Sequence, residues 1–250
     1  MNINTNMNKT SNWSNLPLFK KILLYKKRLG KSESKYVDKL EVKNIVKDIL
    51  GDEIQVANVI RVLSDYKDIK EEDLNDNYII KATHGSGWNI DLEKNKDINV
   101  IISKLKSWSN KKLTHLGEMQ YKYMEPRFFI EEKIIDKFLG RTGNAIVYML
   151  RCIHGNPVTF TVKKGDLANS YDINLKILKP LEFEFDISKI DIEKLKNFAK
   201  ILSKPFEFVR MDFYIDINDK IYLSEYTFTP AAGIQYYPCN VEKELGKLWT

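Results

Sequence analysis

Apolar positions recur along this chain in two rhythms, one helical and one alternating. Residues 16–31 set Phe19, Ile22 and Leu23 on one side and spread Lys20, Lys21, Lys26, Lys27 and Arg28 around the rest, which predicts a helix. Residues 35–50 predict a second helix that Gly51 ends, and residues 97–108 repeat Ile98, Ile101, Ile102 and Leu105 at helical intervals. Residues 190–202 predict a further helix. Short apolar or alternating runs at 56–63, 78–82, 88–91, 127–134, 145–153 and 157–162 predict strands, the last two joined through His154-Gly155-Asn156. Residues 1–15 are polar and predict a mobile tail.

The alternating pattern is most informative near the C-terminus. Residues 208–215 and 221–228 are strand-like and flank Asn218-Asp219, a two-residue hairpin signal. With Ile217 opposite Lys220, Asp212 falls opposite Glu225 and Arg210 opposite Thr227. Strand period two places these four on one face and Val209, Met211, Phe213 and Ile215 on the other. Carboxylates facing each other across a ladder repel unless a cation lies between them. Two readings satisfy that condition: a divalent metal site, or a solvated polar face on which Arg210 balances the acids.

Composition narrows the classes. The 250 residues are 43% hydrophobic, 12% aromatic and 30% charged, a globular balance sufficient for one large domain or two small lobes. Lys and Arg total 40 against 34 acids, but many lysines stand among carboxylates, so the net +6 is weak support for anionic partners. No nucleic-acid partner is expected, because the lysines are not gathered with aromatics on one element. Cys152 and Cys239 stand apart and suggest neither a disulfide framework nor a zinc site. With no long apolar run and no signal-like start, a cytoplasmic location is expected. The basic helix at 16–31 could rest weakly on an anionic membrane face or simply pack on its own domain.

Two further elements could carry chemistry. Gly85 and Gly87 free backbone amides that can surround phosphate oxygens, and Lys81 stands just before them. The loop is neither a P-loop nor a Rossmann turn, since a strand follows it, and a plain Gly-Ser hairpin turn has the same sequence. Glu131-Glu132 ends an apolar strand at a crossover, where a hinge can offer a nucleotide base an apolar slot and backbone partners; an acidic strand end on the surface is the plainer alternative.

The order of these elements is more specific than any one of them. The phrases Ile80-Lys81-Ala82-Thr83-His84-Gly85-Ser86-Gly87, Phe129-Ile130-Glu131-Glu132, Phe208-Val209-Arg210-Met211-Asp212-Phe213-Tyr214 and Glu225-Tyr226-Thr227-Phe228-Thr229-Pro230 resemble the ATP-grasp superfamily. Within it, the chain is most similar to the TupA-like family, named for teichuronopeptide biosynthesis and common in polysaccharide gene clusters. Asp38-Lys39 with Lys43 resembles the segment that opens many such modules, so the resemblance spans roughly residues 35–250.

The resemblance implies an α+β ATP-grasp fold in which two lobes with antiparallel sheets clasp ATP. It implies a tail and basic helix at 1–34, a first lobe at 35–130 and a metal-binding lobe at 131–250. Lys81 and Lys39 would contact ATP phosphates, residues 85–87 (Gly85, Ser86, Gly87) would close over them, and Glu131, Glu132 and Lys133 would line the adenine slot, with Asp136 toward the ribose. Asp212 and Glu225 would hold Mg2+, and Arg210 would neutralise the transferring phosphoryl group. Thr227 departs from the Asn usual at that position, so either its hydroxyl serves as a ligand or the second ion is held less completely. A second expected departure is the short N-terminus, which would leave no room for the full domain that often precedes the module and helps bind the acceptor. His84 could reach phosphate or shape the loop, His115 and His154 read as surface residues, and Trp88 beside the loop is the tryptophan most worth testing.

The implied reaction is ATP- and Mg2+-dependent joining of a carboxylate to an amine through an acyl phosphate, on small-molecule or glycan-linked substrates in cell-surface polysaccharide or capsule assembly. The alternatives are a metal-dependent glycosyltransferase and an inactive nucleotide-binding scaffold.

Overall fold

The structure, a computed structural model, describes residues 13–111, 117–141 and 145–250. His115 and most of the polar tail lie outside the described residues. Two antiparallel sheets face each other. The smaller has the order β1 (Val59–Leu63), β4 (Phe128–Glu132), β2 (Tyr78–Ala82), β3 (Asn89–Asp91). The helix α4 (Ile98–Ser109) covers it, started by Asp97, whose carboxylate accepts from the N–H groups of Asn99 and Val100. Ile101 and Leu105 of α4 pack with Leu63, Ile80, Ile90, Phe128 and Ile130 as a separate core.

The larger sheet has the order β7 (Leu167–Asp172), β6 (Asn156–Lys164), β5 (Val147–Ile153), β8 (Phe208–Ile215), β9 (Ile221–Thr227). Its rear face carries Tyr148, Leu150, Phe160, Val209, Met211 and Phe213, all fully buried, against the helix α5 (Ile192–Ser203) through Leu195, Phe198 and Leu202. Side chains of this size each contribute about 1.5–3 kcal/mol on leaving water, so the alternation that buries one face of β8 also fixes which face is left for the cleft.

The first helices sit on this larger core. α1 (Leu18–Lys26) packs against α6 (Cys239–Lys247), burying Leu18, Ile22 and Tyr25 and leaving Lys20, Leu24, Lys27 and Arg28 exposed. Residues 35–50 are expected as one helix, but the chain divides into α2 (Lys31–Val37) and α3 (Glu41–Leu50). Asp38 leaves helical geometry at ψ 115 and its Oδ1 accepts from the N–H groups of Leu40 (2.8 Å) and Glu41 (3.2 Å), so a buried carboxylate ends one helix and starts the next. Val37, Val42, Val46 and Leu50 join the larger core rather than the small sheet, which puts the segment expected to open the first lobe on the second.

The β8–β9 turn also differs from expectation. Ile215 pairs with Ile221, and Asp216 closes a longer loop whose Asp219 adopts φ +61. Asp216 Oδ1 accepts from the N–H groups of Asn218 (2.9 Å) and Lys220 (2.8 Å). A bulge then shifts the register between Asp212 and Phe213. The two irregularities cancel, so Asp212 faces Glu225 and Arg210 faces Thr227 as the simple hairpin predicts.

Candidate active site in the cleft between the sheets

The cleft face of the larger sheet is built in rows. Val147, Met149 and Arg151 of β5 alternate with core residues, and the ladder sets Asp212 opposite Met149 and Arg210 opposite Arg151. Arg210 forks onto Asp212, with Nε 2.6 Å from Oδ1 and Nη2 2.5 Å from Oδ2. The same Nη2 donates to Glu225 Oε1 at 3.4 Å and Thr227 Oγ1 at 3.2 Å, and the Thr227 hydroxyl donates to Glu225 Oε1 at 3.2 Å. Arg210, Asp212, Glu225 and Thr227 therefore form one hydrogen-bonded cluster. Burial pushes the Asp212 carboxyl up to about 6, against the pull of Arg210 and with the Glu225 charge adding to the rise. Burial acts on Glu225 in the same direction, but Lys39 and Arg210 outweigh it and hold that carboxyl below its ordinary range.

The small sheet supplies the opposite wall. Lys81 on β2 places Nζ 2.5 Å from Glu131 Oε1, and Lys43 on α3 reaches Glu131 Oε2 at 2.8 Å. Glu131 is buried between the two lysines; burial would raise its carboxyl, and the paired charges overcome this and lower it. Burial also opposes the charged form of Lys81, yet the Glu131 charge raises its ammonium above the ordinary range. Lys39, positioned by the turn at Asp38, donates to the Gly85 carbonyl at 2.5 Å, and burial lowers its pKa, partly countered by Glu225.

The loop between β2 and β3 is close-packed on one side. A Cβ on Gly85 would stand 2.1 Å from the Trp88 ring, and Gly87 has φ +69, so both glycines are required by geometry. Trp88 stacks on Trp108 with ring centroids 6.0 Å apart. Ser86, Gly87 and Trp88 line the cleft. His84 does not: its ring is buried edge-on to Trp88 and Phe128, with Nε2 3.1 Å from the Trp108 carbonyl. Burial lowers its pKa, and of the two roles its sequence position allows, phosphate contact or shaping the loop, this packing accords with the second.

Glu131, Glu132, Lys133 and Ile134 line the hinge end of the cleft together with Lys81, Val147 and Tyr214. The Lys133 ammonium is held by Asp91 (2.8 Å) and Glu93 (2.6 Å). Asp136 is not brought there. It is buried, with Oδ1 accepting from the N–H groups of Phe138 and Leu139 and Oδ2 from that of Ile146, each at 2.8 Å, so its carboxylate holds a turn rather than facing the ribose position. His154 sits in the β5–β6 turn at φ +48 and is exposed.

The cavity that takes in the acidic cluster, Lys39 and Lys81 measures about 550 Å³, and its wall also includes Arg151, Lys163, Lys179 and Tyr236. None of these four follows from the motifs. Arg151 had one readable signal, a charge inside the apolar run Tyr148-Met149-Leu150-Arg151-Cys152-Ile153. β7 had none, because Asn169 and Ser170, on opposite faces of the strand, are polar yet fully buried.

A family model described as TupA-like ATPgrasp matches residues 20–250. No curated protein matches the chain significantly. Among solved structures, the ADP complex of N5-carboxyaminoimidazole ribonucleotide synthetase (purK) is similar at TM-score 0.49 and 13% identity, covering 79% of this chain and 46% of its own. D-alanine–D-alanine ligase from Bacillus anthracis complexed with ATP gives 0.47 and 15%, covering 87% and 65%. L-amino acid ligase from Bacillus licheniformis gives 0.46 and 12%, covering 76% and 43%. The chain thus spans between 43% and 65% of the length of these three proteins. Because the family match takes in nearly the whole chain, including both walls of the cleft, this chain belongs to the TupA-like ATP-grasp family.

Proposed function

We propose that the chain is an ATP- and Mg2+-dependent ligase that joins a carboxylate to an amine. The observation that carries the reading is the Asp212–Glu225 pair, bridged by Arg210 and set across a cleft from Lys81, Lys39 and a tight glycine loop. Hard carboxylate oxygens with a neighbouring hydroxyl suit Mg2+, which takes few protein ligands and completes its shell with phosphate oxygens and water. Among the described residues no three His, Cys, Asp or Glu gather, so Asp212 and Glu225, with Thr227 beside them, are the donor set that fits. When bound there, the ion would offset charge on the transferring phosphoryl group.

The residues of the chain have separable tasks in this reading. Lys81 and Lys39 bind phosphate oxygens as point charges, and Glu131 fixes where the Lys81 ammonium stands. Ser86, Gly87 and Trp88 cover the phosphates and exclude water. The strand end from Glu131 to Lys133 lines the base. Arg210 stabilises developing charge in the phosphoryl group, where positioning and electrostatics supply most of the catalysis. The substrate carboxylate attacks the γ-phosphorus, ADP leaves, and the amine nitrogen displaces phosphate from the acyl phosphate to give the amide. The family name and its association with polysaccharide clusters support a substrate from cell-surface glycan assembly.

The test is ADP release measured with panels of carboxylates and amines. Release that requires one of each is expected. Release with a nucleotide sugar but not with ATP, or no nucleotide binding at all, would overturn the reading.

A further inference from the structure

Arg151 is 4% exposed, yet among the described residues no carboxylate forms an ion pair with it. Its Nη1 donates to the Tyr237 hydroxyl at 2.5 Å, and its guanidinium lies over the rings of Tyr236 (4.6 Å) and Tyr237 (4.9 Å). Those rings attract the cation but do not neutralise it. Directly across the ladder stands Arg210, and like charges placed opposite each other on adjacent strands repel. Arg210 is balanced by Asp212 and Glu225; Arg151 has no such counter-charge. A buried cation left without an anion is costly, which points to a ligand that supplies one.

The position says which ligand. Along β5 the cleft-facing residues run from Val147 at the hinge end, through Met149 beside Asp212, to Arg151. Four strand residues span roughly 13 Å, so Arg151 lies past the acidic pair, on the side away from the base slot. The wall there is completed by Tyr236, which also lies within 4.9 Å of the Lys179 ammonium and 3.4 Å from the Ser170 hydroxyl, and Lys179 is already paired with Glu182 at 2.7 Å.

We propose that Arg151, framed by Tyr236 and Tyr237, binds an oxyanion of the acceptor substrate other than the carboxylate that reacts. This rests on the ligase reading and narrows it to acceptors carrying a second anionic group. A carboxylate and a phosphate share the required chemistry, since both offer paired oxygens to a guanidinium fork.

The experiment measures thermal stabilisation of the full chain and of Arg151→Met and Arg151→Lys, with Mg-ADP present and absent. Two probe pairs separate the sources: L-glutamate against L-glutamine for a second carboxylate, and D-glucuronate 1-phosphate against D-glucuronate for a phosphate. One pair is expected to show tighter binding of the doubly anionic member, by about tenfold or more. That preference should vanish in Arg151→Met, survive weakened in Arg151→Lys, and leave Mg-ADP stabilisation unchanged. Tyr236→Phe, which keeps the ring, reports on the same pocket without altering the charge. The proposal is overturned if neither pair shows a preference in the wild type, if the preference persists in Arg151→Met, or if that variant loses Mg-ADP stabilisation. Absence of Mg-ADP stabilisation in the wild type would instead remove the ligase reading.

Discussion

Asp212 faces Glu225 across the β8–β9 ladder because a longer turn and a bulge displace the register by equal and opposite amounts. Were either irregularity absent, Asp212 would be offset by one residue on β9 and Glu225 would project to the opposite face. The pair is thus a property of the whole hairpin, and substitutions in the pair should affect chemistry before fold. Asp212→Asn and Glu225→Gln are each expected to lower Mg-ATP turnover about a hundredfold or more while the circular dichroism spectrum is retained. Near-wild-type turnover in either would remove these residues from the site.

The same carboxyl sets a dependence on pH. The folded-state pKa of Asp212 is raised from 3.8 to about 6, so its contribution to stability is fully present below the unfolded value and lost as pH rises through about 6. Without divalent ions, the melting temperature of Asp212→Asn minus that of the wild type should therefore grow more positive from about pH 4 to about pH 7. A difference that stays flat would contradict the assigned environment.

Glu131 shares its two oxygens between Lys81 and Lys43 in a buried triad. Glu131→Gln leaves two lysines without a counter-charge and is expected to cost about 3 kcal/mol of stability in denaturant titration. Lys81→Ala leaves Glu131 still paired with Lys43, so its main effect should be a nucleotide affinity about tenfold weaker by calorimetry. Unchanged affinity would argue that Lys81 serves structure alone.

Gly85 lies against the Trp88 ring with no space for a methyl group. Gly85→Ala is expected to displace that ring from Trp108, changing tryptophan fluorescence, and to destabilise by about 1–3 kcal/mol. It should also weaken nucleotide binding, because residues 86–88 line the cleft. An unaltered emission spectrum would show that the loop accommodates the methyl group by another route.

Much of the site was legible because strands repeat every two residues. Arg210, Asp212, Glu225 and Thr227 could be put on one face from spacing alone, and the buried row Val209, Met211, Phe213 and Ile215 holds that face in place. His84 and Asp136 show where position along the chain misleads. Both are near cleft residues in sequence, but one ring is drawn into the small core by Trp88, Trp108 and Phe128, and one carboxylate is consumed by backbone amides. Such outcomes depend on what surrounds a side chain, which neighbouring letters do not encode.

By itself, the order of residues determined that alternating runs would form strands, that Gly85 and Gly87 would make a loop after Lys81, and that four polar residues near the C-terminus would share a face. These are consequences of local geometry, set by backbone sterics and by the period of the side chains. Only the tertiary structure decided that α2 and α3 pack on the larger core, that Lys43 and Lys81 converge on Glu131, and that Arg151 stands opposite Arg210 with no carboxylate of its own. Each of those joins residues far apart in the chain, and long-range packing chooses such partners through burial and charge.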